Sequence, residues 1–112
     1  IGGGPSYIKS PREEWERTFN VCWYGVYYSC RAFIDMILKA NEAHIVNTSS
    51  AAGLATIAGS AVYCASKYAV VAFSECLAKD LEQVGSPIGV SVLCPSLVAT
   101  RIDQLASTFP FA

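Results

Sequence analysis

Tyr63 and Lys67 are the residues of this sequence whose types and spacing point most directly to chemistry. They lie four positions apart, and Ser50 lies thirteen positions before Tyr63. On a helix, side chains four apart project from one face. A tyrosine hydroxyl can exchange a proton with a substrate oxygen, and a lysine ammonium one turn away favours the phenolate form. A serine hydroxyl can hold that oxygen in place. The trio therefore suits proton transfer to or from a substrate oxygen.

The same three residues also have ordinary structural explanations. Tyr63 could be a core residue, Lys67 a solvated helix residue and Ser50 a turn former. The sequence holds six tyrosines, so a tyrosine and a lysine at this spacing arise by chance in roughly one such sequence in five. The elements that carry the trio must therefore decide between the two explanations.

Two long helices and two short strands must position these residues. Ser10 and Pro11 predict a helix start, and Glu13 completes a capping box with Ser10. From there apolar residues recur every three or four positions, although Asn20 and Gly25 are poor residues for a helix interior. β-branched runs predict the strands, and a glycine ends the second helix. The predicted elements are a helix over 11–40, a strand over 43–48, a helix over 61–84 and a strand over 89–94.

The order of these elements predicts a parallel sheet. A strand, a helix and a strand within about fifty residues form one βαβ unit, so the fold class is α/β. Ligands bind at the carboxyl ends of the strands in such sheets, and Ser50 follows the first strand at that edge. Two parallel strands cannot cover their own faces and edges. We therefore expect residues 1–112 to be part of one larger domain.

Composition excludes several classes of protein. The chain is 53% hydrophobic and 15% charged, with a formal net charge of −1 at pH 7, which excludes a disordered tail and a basic surface for nucleic acid. The uncharged stretch 45–66 is long enough to cross a bilayer, but its many polar residues exclude a membrane span. His44 is the only histidine, so a histidine-based metal site or a serine-hydrolase triad lacks the residues it needs.

The cysteines indicate a compartment. The five cysteines are odd in number, form no C-x-x-C pair and lie in apolar stretches, as is typical of buried thiols in a reducing environment. The first residues lack the basic and apolar regions of a secretion signal. These features together predict a cytoplasmic protein.

Four segments of the sequence resemble the short-chain dehydrogenase/reductase family. Residues 45–53 (IVNTSSAAG) look like that family's catalytic-serine segment, and residues 63–67 (YCASK) look like its Y-x-x-x-K signature. Asn20 matches the family's fourth catalytic position. Residues 94–100 (CPSLVAT) resemble the segment that contacts the nicotinamide end of the cofactor, with Ser96 where glycine is usual. The resemblance spans nearly the whole chain, and four motifs in the same order make it specific.

This resemblance implies a fold and an activity. The fold is a Rossmann-like, doubly wound parallel sheet with helices on both faces, and the activity moves a hydride between NAD or NADP and an alcohol or carbonyl. Tyr63 is then the acid/base, Lys67 supports it and binds the cofactor ribose, and Ser50 holds the substrate oxygen. Asn20 interrupts its helix and holds a water that links Lys67 to solvent. The implied cofactor contacts are Tyr63, Lys67, Pro95, Ser96, Val98 and Thr100.

The resemblance covers the C-terminal, catalytic part of the family's domain. The glycine-rich turn and the residue that selects NAD or NADP are absent from these 112 residues, so the N-terminal dinucleotide-binding half is missing. The implied substrate pocket is apolar, and its candidate residues are Ala52, Leu54, Ile57 and Leu97.

Two hypotheses about function remain open. In the first, the chain belongs to a working oxidoreductase that acts on a small-molecule alcohol or carbonyl and assembles as a homodimer or homotetramer through its two helices. In the second, it is a truncated, non-catalytic fragment that at most self-associates through those helices.

Overall fold

The structure is a computed structural model, and it describes residues 6–96 of the chain. These residues form three α-helices and two strands, with a π-helical turn between the first two helices and a 3-10 turn before the third. The α-helices are α1 (Arg12–Phe19), α2 (Gly25–Leu38) and α3 (Ala61–Gln83), and the strands are β1 (His44–Thr48) and β2 (Gly89–Leu93). The π turn covers Asn20–Tyr24, and the 3-10 turn covers Ala51–Gly53.

The first helix starts one residue later than the predicted capping box requires. Pro11 is the N-cap residue, with φ −70° and ψ 155°, because its extended ψ places the first helical residue at Arg12. The Ser10 hydroxyl donates instead to the Ser6 carbonyl at 2.9 Å. Glu13 lies in the first turn of α1, where its negative charge complements the helix dipole.

The predicted helix over 11–40 is interrupted by the π turn. The Gly25 N–H donates to the Asn20 carbonyl, which is a bond across five residues rather than four. A turn of this kind inserts an extra residue and rotates the side chains that follow it. The helical path therefore continues from α1 into α2, but α2 presents its side chains on a shifted face.

The two strands pair in parallel, as predicted for a βαβ unit. Their register runs from His44 opposite Gly89 to Thr48 opposite Leu93. In β1, Ile45 is buried and Val46 is exposed, which is the alternation expected when one face of a sheet is covered.

The covered face of the sheet holds the core. Ile45, Leu81 and Ile88 form its buried centre, and α2 adds Ile34 and Ile37. Both α2 and α3 therefore pack on the same face. Among residues 6–96 no element covers the opposite face, where Val46 is 55% and Leu93 is 53% exposed. The edge of β1 away from β2 has no partner strand within this part of the chain.

Helix α3 carries more buried residues than any other element of residues 6–96. By length and composition alone it could also cross a membrane. In this fold, however, it is the crossover helix between β1 and β2. Val70 is fully buried and Leu81 is 4% exposed, so α3 serves here as a core helix that fixes the side chains at its start.

Candidate active site

The carboxyl ends of the two strands are joined by backbone hydrogen bonds that continue the ladder beyond the strands. The Ser49 N–H donates to the Leu93 carbonyl at 2.7 Å, and the Ala51 N–H donates to the Pro95 carbonyl at 2.9 Å. Ser50 lies between these two bonds with an extended backbone, at φ −165° and ψ 166°. The loop after β1 and the loop after β2 therefore form one connected edge.

Ser50 also caps the short turn that follows it. Its hydroxyl oxygen accepts from the Ala52 N–H at 3.2 Å, and its carbonyl accepts from the Gly53 N–H at 2.9 Å. A residue that caps a turn through its side chain occupies one defined conformation. Ser50 is thus held at the sheet edge by contacts on both sides, where the sequence places it.

Tyr63 and Lys67 lie together on the first turns of α3. The Lys67 Nζ is 5.6 Å from the centre of the Tyr63 ring, close enough for a favourable cation–π contact. Both side chains are half-buried. This confirms that the four-residue spacing brings the ammonium group and the phenol to one helix face.

The two side chains line an open cleft of about 580 Å³ between α3, β1 and the π turn. Its other walls include Ser49 from the end of β1 and Cys22 and Gly25 from the first helical path. A half-buried phenol and a half-buried ammonium in one cleft can reach a small molecule while they remain near each other. The arrangement can bind a ligand with hydroxyl or carbonyl oxygens and exchange a proton with it.

The structure places the side chain of Asn20 outside the cleft. Its side chain is exposed, and Cys22 rather than Asn20 lines the cleft. Successive helix residues are about 100° apart, so two residues separated by two positions face nearly opposite sides. Cys22 is 8% exposed. The predicted interruption of the helix at Asn20 is confirmed, and the side chains of that turn that line the cleft are those of Val21 and Cys22.

Four of the predicted cofactor contacts lie beyond α3 in the sequence, and the structure describes two of them. Pro95 and Ser96 are exposed in the loop after β2, and the Pro95 carbonyl is bound to the loop that holds Ser50. Val98 and Thr100, like Leu97, lie outside the described residues. The two described residues are therefore placed at the edge where Ser50 lies.

A buried polar cluster lies in the interior between β1, α2 and α3. The Asn47 side-chain amide donates to the Ser74 hydroxyl at 3.0 Å, which in turn donates to the Val70 carbonyl at 2.8 Å. The Cys30 thiol lies 3.8 Å from the Asn47 side-chain oxygen. Burial raises the pKa of the Cys30 thiol, and the hydrogen bond to Asn47 partly offsets that rise. The cluster ties β1 to α2 and α3.

Two contacts at the site were not predicted. Ser49 is 3% exposed, and its hydroxyl donates to the Lys67 backbone carbonyl at 2.9 Å. Cys22 is the other such residue, because the sequence indicates it only as one of the periodic apolar residues of the first helix. Within residues 6–96, no three His, Cys, Asp or Glu side chains converge as metal ligands.

The sequence matches the family model described as short chain dehydrogenase over residues 3–109. The chain belongs to the short-chain dehydrogenase family. A crystal structure of a short chain dehydrogenase/reductase from Burkholderia phymatum in complex with NAD is similar in fold and sequence, with a TM-score of 0.87 and 40% identity over 98% of this chain. The Rossmann-like fold predicted from the sequence is thereby confirmed.

Relatives of this short-chain dehydrogenase chain include oxidoreductases from distant organisms. An uncharacterized oxidoreductase from Staphylococcus saprophyticus is 38% identical over 86% of the chain. Retinol dehydrogenase 10 from Rattus norvegicus is 37% identical over 89% of the chain. The chain spans 39% of the first relative, 30% of the second and 40% of the Burkholderia protein. These 112 residues thus correspond to well under half of the proteins they resemble.

Proposed function

We propose that the chain is the catalytic part of a longer NAD- or NADP-dependent oxidoreductase that interconverts an alcohol and a carbonyl. The observation that carries the proposal is the Tyr63–Lys67 pair, with the ammonium 5.6 Å from the ring centre, in a cleft beside the Ser50 loop. Proton exchange on an oxygen is what this pair can supply, and family membership supports a hydride transfer at the adjoining carbon. We refer to the longer protein as the full-length polypeptide.

The chain's own residues divide the proton chemistry among them. In carbonyl reduction, the Tyr63 hydroxyl donates its proton to the carbonyl oxygen, and in alcohol oxidation the phenolate takes that proton back. Lys67 stabilises the phenolate by its positive charge. Ser50 orients the substrate oxygen by a hydrogen bond and stabilises the charge that develops on it.

The residues present fit the nicotinamide end of the cofactor. The Lys67 ammonium is half-buried in the open cleft, where its donors can bind ribose hydroxyls. Tyr63, Pro95 and Ser96 stand around the same edge, and Val98 and Thr100 follow in the sequence. A bound nicotinamide supplies or accepts the hydride. The complex of the Burkholderia protein with NAD supports this choice of cofactor.

An apolar substrate suits the loop that leads to Tyr63. Leu54 is 64% and Ile57 is 61% exposed, so both can contact a ligand, whereas Ala52 is 3% exposed and belongs to the protein interior. Retinol dehydrogenase 10 is named for an apolar alcohol, which supports the same class. We propose a carbonyl or alcohol with an apolar body.

Substitution of Tyr63 tests the proposal. In the full-length polypeptide, Tyr63→Phe keeps the ring but removes its proton, so kcat falls by about 10²- to 10⁴-fold, while NADH binding is nearly intact because the ring remains. Lys67→Ala impairs both turnover and NADH binding. Tyr68→Phe, an exposed tyrosine of the same helix, is the control. Turnover is measured with NADH and NADPH on a panel of apolar aldehydes and ketones, and a Tyr63→Phe enzyme within about fivefold of the parent rejects the assigned role.

The alternative is a non-catalytic fragment that at most self-associates through its helices. The open face and the unpaired edge of the sheet within residues 6–96 favour it for the isolated chain. The mass of the polypeptide in cells separates the two functions. A species of 12.0 kDa supports the fragment, and one at least about twice as heavy supports the enzyme.

We propose further that the full-length polypeptide forms homodimers or homotetramers in the cytoplasm. Tyr28 and Met36 on α2 are 62% and 70% exposed, and such exposed apolar side chains are typical of helices that pack against a second copy. All five cysteines are free thiols, which suits a reducing compartment. Sedimentation of the full-length polypeptide tests the assembly.

A further inference from the structure

We infer that Ser49 and Gly53 are positioning residues that set where the Ser50 hydroxyl lies relative to Tyr63. They do so by docking the serine loop, residues 49–53, on the backbone carbonyl of Lys67. The inference rests on the proposed function and deepens it, because it names the contacts that hold two reacting side chains at a fixed separation.

Ser49 supplies the first contact. Its side chain is 3% exposed, and its hydroxyl donates to the Lys67 carbonyl at 2.9 Å. A carbonyl inside an α-helix already accepts the N–H four residues later, and its second lone pair remains free for another donor. The Ser49 bond is therefore not needed to form α3. Its effect is to join the loop to the helix at the turn that carries Lys67.

Gly53 supplies the second contact at the other end of the loop. A Cβ atom on Gly53 would lie 2.9 Å from the Lys67 carbonyl oxygen and 3.0 Å from Val71 Cγ2, and it would overlap the Ser49 hydroxyl. Real Cβ atoms do not approach so closely, so no other residue fits without moving the loop. The Gly53 N–H also donates to the Ser50 carbonyl at 2.9 Å. The loop thus touches one helix carbonyl on both sides of Ser50.

These contacts couple the loop to the catalytic pair. Tyr63 lies one turn before Lys67 on the rigid helix α3, so the Lys67 carbonyl is a fixed reference for the phenol. A shift of the serine loop against that carbonyl changes the separation of Ser50 from Tyr63 without moving Lys67. Misplacement by about 1 Å can cost about 100-fold in rate. Loss of the contacts between the serine loop and the Lys67 carbonyl therefore lowers kcat, while cofactor binding is preserved.

The contacts of the serine loop with the Lys67 carbonyl are tested first without a substrate, by hydrogen–deuterium exchange in the full-length polypeptide. Ser49→Ala should raise the exchange rates of the Ala51 and Gly53 amides by about tenfold. Ser74→Ala is the matched control, since Ser74 is also buried and also donates to an α3 carbonyl but does not contact the serine loop. Exchange of these amides in Ser49→Ala within about twofold of the Ser74→Ala rates would overturn the inference.

Kinetics then separate positioning from general destabilisation. Ser49→Ala should lower kcat about tenfold and Gly53→Ala about 100-fold, with KM and NADH binding within about twofold of the parent. Ser49→Thr keeps the hydroxyl donor and should restore most of kcat. Ser74→Ala should lose stability yet keep kcat. If Ser49→Ala and Ser74→Ala have the same kcat, the contact of Ser49 with the Lys67 carbonyl does not position Ser50.

Tyr63→Phe in the same series distinguishes failure of the proposed function from failure of the positioning role. An active Tyr63→Phe enzyme rejects the proposed function, whatever the Ser49 variants do. An inactive Tyr63→Phe enzyme together with fully active Ser49→Ala and Gly53→Ala enzymes leaves the proposed function intact and rejects the positioning role. Loss of kcat in all three, with Ser74→Ala active, supports both.

Discussion

At the residue scale, the cleft depends on which side of one helical turn a side chain occupies. Cys22 lines the cleft and is 8% exposed, whereas Asn20 is exposed on the other side of the turn. The side chain of Asn20, which the resemblance assigns to the family's fourth catalytic position, therefore does not line the cleft with Tyr63 and Lys67, and its catalytic role stays a prediction.

The same bulky substitution at both positions should separate their roles. Cys22→Phe places a ring in the cleft and should lower kcat/KM of the full-length polypeptide at least about tenfold. Asn20→Phe adds the same ring to the exposed side and should leave kcat/KM within about twofold. The measurement is a comparison of steady-state kcat/KM between the two variants and the parent. Equal losses in both, or a larger loss for Asn20→Phe, would contradict this placement.

Cysteine reactivity gives a second residue-scale prediction. Cys76 is exposed and Cys30 is partly buried, and burial raises the pKa of the Cys30 thiol. A raised pKa leaves less thiolate at neutral pH, so Cys30 should react with iodoacetamide at least about tenfold more slowly than Cys76. The Cys30 rate should keep rising with pH above the usual range of a free thiol. Peptide mass spectrometry over a pH series measures both rates, and equal rates at neutral pH would contradict the prediction.

Sequence reasoning reached some of these residues and not others for identifiable reasons. The Tyr63–Lys67 contact follows from a regular helix, where a spacing of four residues fixes the geometry. The hydrogen bond of Ser49 could not be predicted in this way, because its acceptor is a backbone carbonyl eighteen residues away. Every residue has a backbone carbonyl, so the residue types do not show which one accepts. Cys22 follows the apolar periodicity of its helix, and that periodicity predicts burial but not a place at a cleft.

At the element scale, the π turn explains why one predicted helix became two. The predicted range 11–40 is close to the observed path from Arg12 to Leu38, because the periodic apolar residues reflect packing of the whole path. The break depends on a bond from the Gly25 N–H to the Asn20 carbonyl. No side-chain pattern encodes such a bond, although two poor helix formers stand at its ends. The strands and α3 were predicted to within one residue at each end.

The two strands fit together through a contact between His44 and Gly89. A Cβ on Gly89 would lie 2.7 Å from two atoms of the His44 ring, and the ring also lies 2.7 Å from the Ser91 hydroxyl. Gly89→Ala should therefore displace the ring and lower the free energy of unfolding by about 1 kcal/mol. In a His44→Ala background the same change should cost nothing. Urea denaturation of the four proteins measures this cycle, and an equal cost in both backgrounds would contradict it.

At the scale of the whole molecule, residues 6–96 form a one-sided structure. Helices α2 and α3 cover one face of the sheet, while Val46 and Leu93 remain open on the other. Because only two strands were predicted, the sequence indicated that the sheet is part of a larger domain. It also predicted that the sheet is parallel, as in the family. What it could not predict was that both helices lie on the same face, because periodicity shows that a helix has a buried side and not which sheet face it meets.

Cofactor binding by the isolated chain is the prediction at this scale. Within residues 6–96 neither strand is followed by a glycine-rich phosphate-binding turn, which positions the dinucleotide in Rossmann folds. We expect no saturable NADH or NADPH binding by the isolated chain at micromolar concentrations, measured by cofactor fluorescence, and no dehydrogenase turnover. The full-length polypeptide is the positive control. Saturable binding by the isolated chain would place the main cofactor contacts within these residues.

The ladder that continues past the strands governs where this fold tolerates change in length. The Pro95 carbonyl is bonded to the Ala51 N–H, and the Leu93 carbonyl to the Ser49 N–H, so the stretch between Leu93 and Pro95 is held in register with Ser50. An insertion in that stretch would slip the register and displace Ser50. Substrate recognition in this fold can therefore change through the side chains of this stretch, whereas its length is fixed by the position of Ser50.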